Sequence, residues 1–87
     1  MLRGREILFS GRVQGVGFRY TAKQLSRRFS VTGTIENLSD GRVKLFVEGE
    51  LSQIDGFIEA LLEENRGAVA DTERIGKPYR GEFTGFE

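Results

Sequence analysis

The chain has no cysteine and no histidine. The first absence excludes disulfides and thiol nucleophiles. The second excludes histidine general bases and phosphohistidine intermediates, and together they remove the usual zinc constellations, so no metal or other cofactor is expected. Net charge is missing as well, with 13 Lys plus Arg against 13 Asp plus Glu. No global field then recruits nucleic acid or an anionic membrane, and any anion site must be local. No apolar run reaches spanning length and no segment has the apolar stretch of a secretion signal, so a cytoplasmic location is expected, without a membrane partner.

What is present suits one folded domain. Charged residues make up 30% and apolar residues 38% of 87 positions, enough for one modest core over residues 1–87 and not for two. We find no repeat, linker or low-complexity segment.

Alternation and helical spacing divide the chain. Residues 5–9 read as a strand, with Ile7 and Phe9 on one side and Leu8 on the other. Phe18, Ala22, Leu25 and Phe29 then recur at helical spacing, with Lys23, Arg27 and Arg28 opposite, and predict an amphipathic helix ending near Ser30. Val31, Gly33 and Ile35 share one face of a second strand. Asp40-Gly41 marks a hairpin, because glycine and, more than most residues, aspartate accept the backbone such turns need. Val43, Leu45 and Val47 line a third strand, with Phe46 on its other face. Ser52, with Asp55 three residues on, predicts a capped second helix. Ile54, Phe57, Ile58, Leu61 and Leu62 form its core stripe, and 65–67 stop it. A weakly patterned fourth strand spans 70–76, closed by Lys77-Pro78, and 81–87, holding Phe83 and Phe86, predicts a short terminal strand.

This order is βαββαβ, an α+β ferredoxin-like sandwich: an antiparallel sheet of four to five strands with two helices on one face. A right-handed crossover sends the first two strands the same way, so the loop beginning at Gly11 should meet the end of the second strand at Asn37. Asn37 shares parity with Val31 and Ile35, which predicts its amide on the helix-covered face with a partner to find.

The loop between the first strand and the first helix carries three glycines in seven positions. Successive N–H groups between Gly15 and Phe18 can turn inward as a nest, and the helix start adds unpaired N–H groups and its positive dipole end. Arg19 sits in the first turn, where the dipole disfavours a cation; a bound phosphate, gripped by the guanidinium, would account for it. The same stretch also reads as a tight strand-to-helix turn with an arginine at its edge, and Asn37 as a residue shaping the turn before Asp40-Gly41. Gly-x-Gly does not decide between the two.

The whole string Gly11-Arg12-Val13-Gln14-Gly15-Val16-Gly17-Phe18-Arg19 resembles the signature loop of the acylphosphatase family. The resemblance continues in Gly33-Thr34-Ile35-Glu36-Asn37-Leu38-Ser39-Asp40-Gly41-Arg42-Val43, and covers nearly the full chain. It implies hydrolysis of acyl phosphates to carboxylate and inorganic phosphate, without a metal or a covalent intermediate. Arg19 would bind the phosphate with the loop N–H groups of Gly15, Val16, Gly17 and Phe18. Asn37 would hold the attacking water. Gln14, within this phosphate-binding loop, reads as a loop-shaping residue, and Arg12 and Arg42 read as solvated charges, with steering of the anion as the alternative. The inventory agrees, since a carboxylate leaving group needs no protonation and a loose transition state asks mainly for positioning and charge stabilisation. Two features depart from the family pattern: Thr34 stands where an aromatic is common, and the chain stops directly after Phe86-Glu87.

Two other readings stand beside this one. A binding module would stack RNA bases on sheet aromatics, but these are not interleaved with basic residues here; Phe9 and Phe46 exposed on the open face would revive it. Acylphosphatase-like domains also occur inside larger proteins, such as the carbamoyl-phosphate-handling hydrogenase maturation factor. The free ends and the length lead us to expect a standalone monomeric enzyme whose only partners are a small acyl phosphate and inorganic phosphate.

Overall fold

Ile7 and Phe9, two residues apart and fully buried, define the core side of the first strand, β1 (Leu2–Gly11). The computed structural model describes residues 1–15 and 17–86. After β1 come α1 (Phe18–Ser26), β2 (Val31–Asn37), β3 (Val43–Glu50), α2 (Leu51–Glu64) and β4 (Val69–Lys77). The four strands form one sheet in the order β2-β3-β1-β4, and every neighbouring pair is antiparallel. Because β1 and β2 both oppose β3, they run the same way and end at the same edge of the sheet. The ferredoxin-like expectation is met, with four strands.

β1 is longer than its apolar alternation indicates because it is paired on both sides. Its ladder with β3 runs from Leu2 opposite Glu50 to Phe9 opposite Val43, and β4 covers its other edge. Beneath it Val43, Leu45 and Val47 of β3 and Val31 and Ile35 of β2 meet Phe18, Ala22 and Leu25 of α1 and Ile54, Phe57, Ile58 and Leu61 of α2. Apart from Ala22, each such side chain contributes on the order of 1.5–3 kcal/mol when fully removed from water.

Several boundaries differ from the sequence reading. α1 closes at Ser26, and the chain continues in tighter i→i−3 bonds, Arg28 N to Leu25 O at 2.9 Å and Phe29 N to Ser26 O at 3.3 Å. Phe29 still packs against the core. α2 starts directly after β3, with Glu50 in the cap position and no side-chain cap. Ser52 therefore lies inside the first turn, since no loop remains for it to close. Leu62 is only partly buried.

The terminal strand expected over 81–87 includes Glu87, which lies outside the described residues. Among the described residues this segment forms no fifth strand and joins the sheet through a single bridge, Phe86 beside Gly33, with Gly33 N donating to Gly85 O at 3.0 Å. Residues 78–86 instead act as a strap. The Phe83 ring packs 5.7 Å from Phe46 on the open face, while the Phe86 ring lies 5.3 Å from Phe57 of α2 on the other. A Cβ at Gly33 would sit 1.9 Å from the Phe46 carbonyl oxygen, so glycine alone permits this approach of β2 to β3. Phe9 belongs to the core and Phe46 is covered by Phe83 and the Arg80 guanidinium, so the aromatics that a base-stacking sheet face would need are not exposed. Among the described residues, no helix is long and apolar enough to cross a membrane.

Candidate active site

The glycine-rich loop leaves β1 through Val13 and enters α1 at Phe18, and both side chains are buried. The Phe18 ring stands 4.9 Å from that of Phe9, which ties the start of the helix to the central strand. Between these anchors Gly15 and Gly17 each take φ near 78°, and nothing lies within 4 Å of where a Cβ would stand on either. Glycine is required there by the left-handed backbone and not by crowding. Val16 lies outside the described residues.

Gly17 is the cap residue of α1. It offers no side-chain cap, the first turn holds no acidic residue, and the first helical bond runs from Thr21 N to Gly17 O at 2.9 Å. The N–H groups of the first turn thus face outward with the positive end of the helix dipole. Arg19 is exposed in that turn, and among the described residues it has no ion-pair partner.

Asn37 reaches the same place from the end of β2, as the strand directions require. Together with Gly15, Gly17, Arg19 and Tyr20 it lines a cleft of about 270 Å³ floored by Val13 and Phe18. None of these side chains is acidic. Asn37 keeps the parity expected of it but is exposed rather than buried, because β2 finishes at the open cleft beside the start of α1. Its amide faces the cleft and water, and needs no buried partner.

Gln14 does more than shape a loop. Its side-chain Nε2 donates to Leu38 O at 2.8 Å and to Arg42 O at 2.9 Å, so it spans from the loop to the β2–β3 hairpin. No periodicity could have pointed to that bond, since both acceptors are backbone oxygens more than twenty residues along the chain. Tyr20, 68% exposed beside Arg19, was likewise not singled out by its spacing. Arg12 and Arg42 stay out of the cleft: the Arg12 guanidinium donates to Gly67 O, and Arg42 pairs with Asp40. Thr34 lines a separate groove of about 250 Å³ on the open sheet face, under the strap. That groove shares no lining residue with the cleft and has Glu6 and Glu36 among its own.

A bent glycine loop, an uncapped helix start and an arginine around a cleft without acidic side chains make, on a ferredoxin-like domain, a place suited to a small anion. The family model described as Acylphosphatase matches residues 5–87, and the chain belongs to the acylphosphatase family, hydrolases acting on acid anhydrides. It is 36% identical over 80 residues to an acylphosphatase of Acaryochloris marina, covering 92% of this chain and 86% of that one. The crystal structure of acylphosphatase from Bacillus subtilis superposes with a TM-score of 0.87 at 31% identity, over 99% of this chain and 96% of that chain. HypF of T. kodakarensis matches with a TM-score of 0.83 at 28% identity, over 97% of this chain but 11% of that protein.

Proposed function

We propose that the chain, as a single monomeric cytoplasmic domain over residues 1–87, hydrolyses the carboxyl–phosphate bond of small acyl phosphates, with the cleft at the start of α1 as its active site. The observation that carries this reading is that Arg19 and Asn37, which come from separate elements, line one cleft at an uncapped helix start. The phosphate oxygens lie against the N–H groups of Gly15, Gly17 and Phe18, and the Arg19 guanidinium grips them in bidentate fashion. The Asn37 amide orients a water for in-line attack on phosphorus. The bond from phosphorus to the carboxylate oxygen breaks as the bond to water forms, the carboxylate leaves with its electron pair, and the water's proton passes to a phosphate oxygen. An amide is too weak a base to take that proton. No step needs a metal, because the arginine and the N–H groups supply the charge stabilisation.

Hydrolysis of benzoyl phosphate in the presence of a chelator tests this. The native chain is expected to turn over, and Arg19→Ala and Asn37→Ala, each verified as folded, to lose about two to three orders of magnitude in kcat. An inactive native chain, or folded variants of undiminished rate, would overturn the assignment.

A further inference from the structure

We propose that Gln14 is a positioning residue that sets the distance between the phosphate loop and the water-holding amide of Asn37. This rests on the function proposed above. Both hydrogens of its amide are used, one on Leu38 O at 2.8 Å and one on Arg42 O at 2.9 Å. Two carbonyl acceptors can only be met by the NH₂ end, so the orientation of the amide is set by chemistry. Leu38 is the residue after Asn37, and Arg42 precedes Val43, which pairs with Asn37 across the ladder. Leu38 N also donates to Arg42 O at 2.8 Å. A single side chain from the loop therefore holds both strands at the mouth of the hairpin, beside the residue whose placement matters. Among the described residues, these are the only hydrogen bonds between the loop at 12–17 and the hairpin at 38–42.

The side chain is half-buried, so water replaces its donors poorly. Asn37 is the last residue of β2 and is exposed, so no packed side chain of its own fixes it relative to the loop. Displacing a reacting group by about 1 Å costs on the order of a hundredfold in rate. Gln14 thus acts on catalysis through Asn37 and leaves phosphate binding to Arg19 and the N–H groups.

The test pairs Gln14→Met, close in shape but without donors, with Asn37→Ala and with the double variant, using benzoyl phosphate as substrate and inorganic phosphate as competitive inhibitor. We expect Gln14→Met to lower kcat about 10- to 100-fold while phosphate inhibition shifts less than about threefold, and the double variant to be no slower than Asn37→Ala, since coupled groups are non-additive. Amide hydrogen exchange at Leu38 and Gly41 should quicken in Gln14→Met while α1 is unchanged. Gln14→Glu, an acceptor-only isostere, should reproduce the loss if Gln14→Met does not fold. Additive losses, a phosphate affinity that falls as far as kcat, or unaltered hairpin exchange would overturn the proposal and leave the hydrolase reading intact. A native chain inert on benzoyl phosphate would overturn both.

Discussion

Asp40 illustrates how one residue holds the site's hairpin in shape. Its Oδ1 accepts from Arg42 N at 3.0 Å and its Oδ2 from Arg42 Nε at 2.8 Å. The backbone bond first, and the guanidinium with it, hold the carboxyl below the usual carboxylate range. A depressed folded-state value contributes stability that is fully present above the unfolded carboxylate range and is lost as pH falls through the folded one. Asp40→Asn keeps the shape without the charge. Melting curves taken from roughly pH 7 down to pH 3 should show the native chain more stable than the variant at the upper end, with the gap closing as the carboxylate protonates. The ion pair is exposed to solvent, so the gap is small. A gap that is constant with pH would mean that the carboxylate's charge contributes nothing to the hairpin.

Among the elements, the strap at 78–86 depends on a buried carboxylate. Glu48 of β3 is 1% exposed and accepts from the backbone N–H groups of Arg80 at 2.5 Å and Gly81 at 3.1 Å. These bonds offset the cost of keeping an acid out of water. In Glu48→Gln one acceptor becomes an NH₂ facing an N–H, and the loss should be about 1–3 kcal/mol, or roughly 5–15 °C in Tm for a domain of this size. Cleavage by a nonspecific protease should concentrate within 78–86, with kcat on benzoyl phosphate unchanged in the intact protein. An unaltered Tm would show that the strap is held by Phe83 and Phe86 alone. The strap also covers the outer edge of β2 near Gly33, which leaves less of that edge open to pairing with another chain.

For the whole molecule, charge balance and topology act together. With no net charge there is no long-range field to steer an anionic substrate, and attraction comes from Arg19 and the helix start within a few ångströms. Raising sodium chloride from about 20 mM to about 200 mM should therefore lower kcat/KM by less than about threefold. A steep salt dependence would mean that charges outside the cleft, Lys23 or Arg12 among them, take part in capture. The sheet order brings the two halves of the site together, since a split β-α-β with β3 between β1 and β2 leaves both strand ends at one edge.

Much of this was legible in the sequence because its causes are local. The stripe from Ile54 to Leu61, the alternation of Val43, Leu45 and Val47, and the glycines before Arg19 express periods and backbone needs that span a few residues. With the handedness of crossovers they determined the topology, and so the meeting of Arg19 with Asn37. Local signals failed where distant neighbours decided. Ser52 looks like a cap, but the pairing of Glu50 with Leu2 carries β3 up to the first residue of α2. β4 patterns weakly because no helix covers it, and it is held by its ladder with β1. The last residues wrap both sides of the sheet, as Phe83 and Phe86 find rings on opposite faces. Above all, the Gln14 amide meets carbonyl oxygens 24 and 28 residues away. Backbone acceptors are the same at every position, so no residue code announces that bond, and only the folded chain brings its partners within reach.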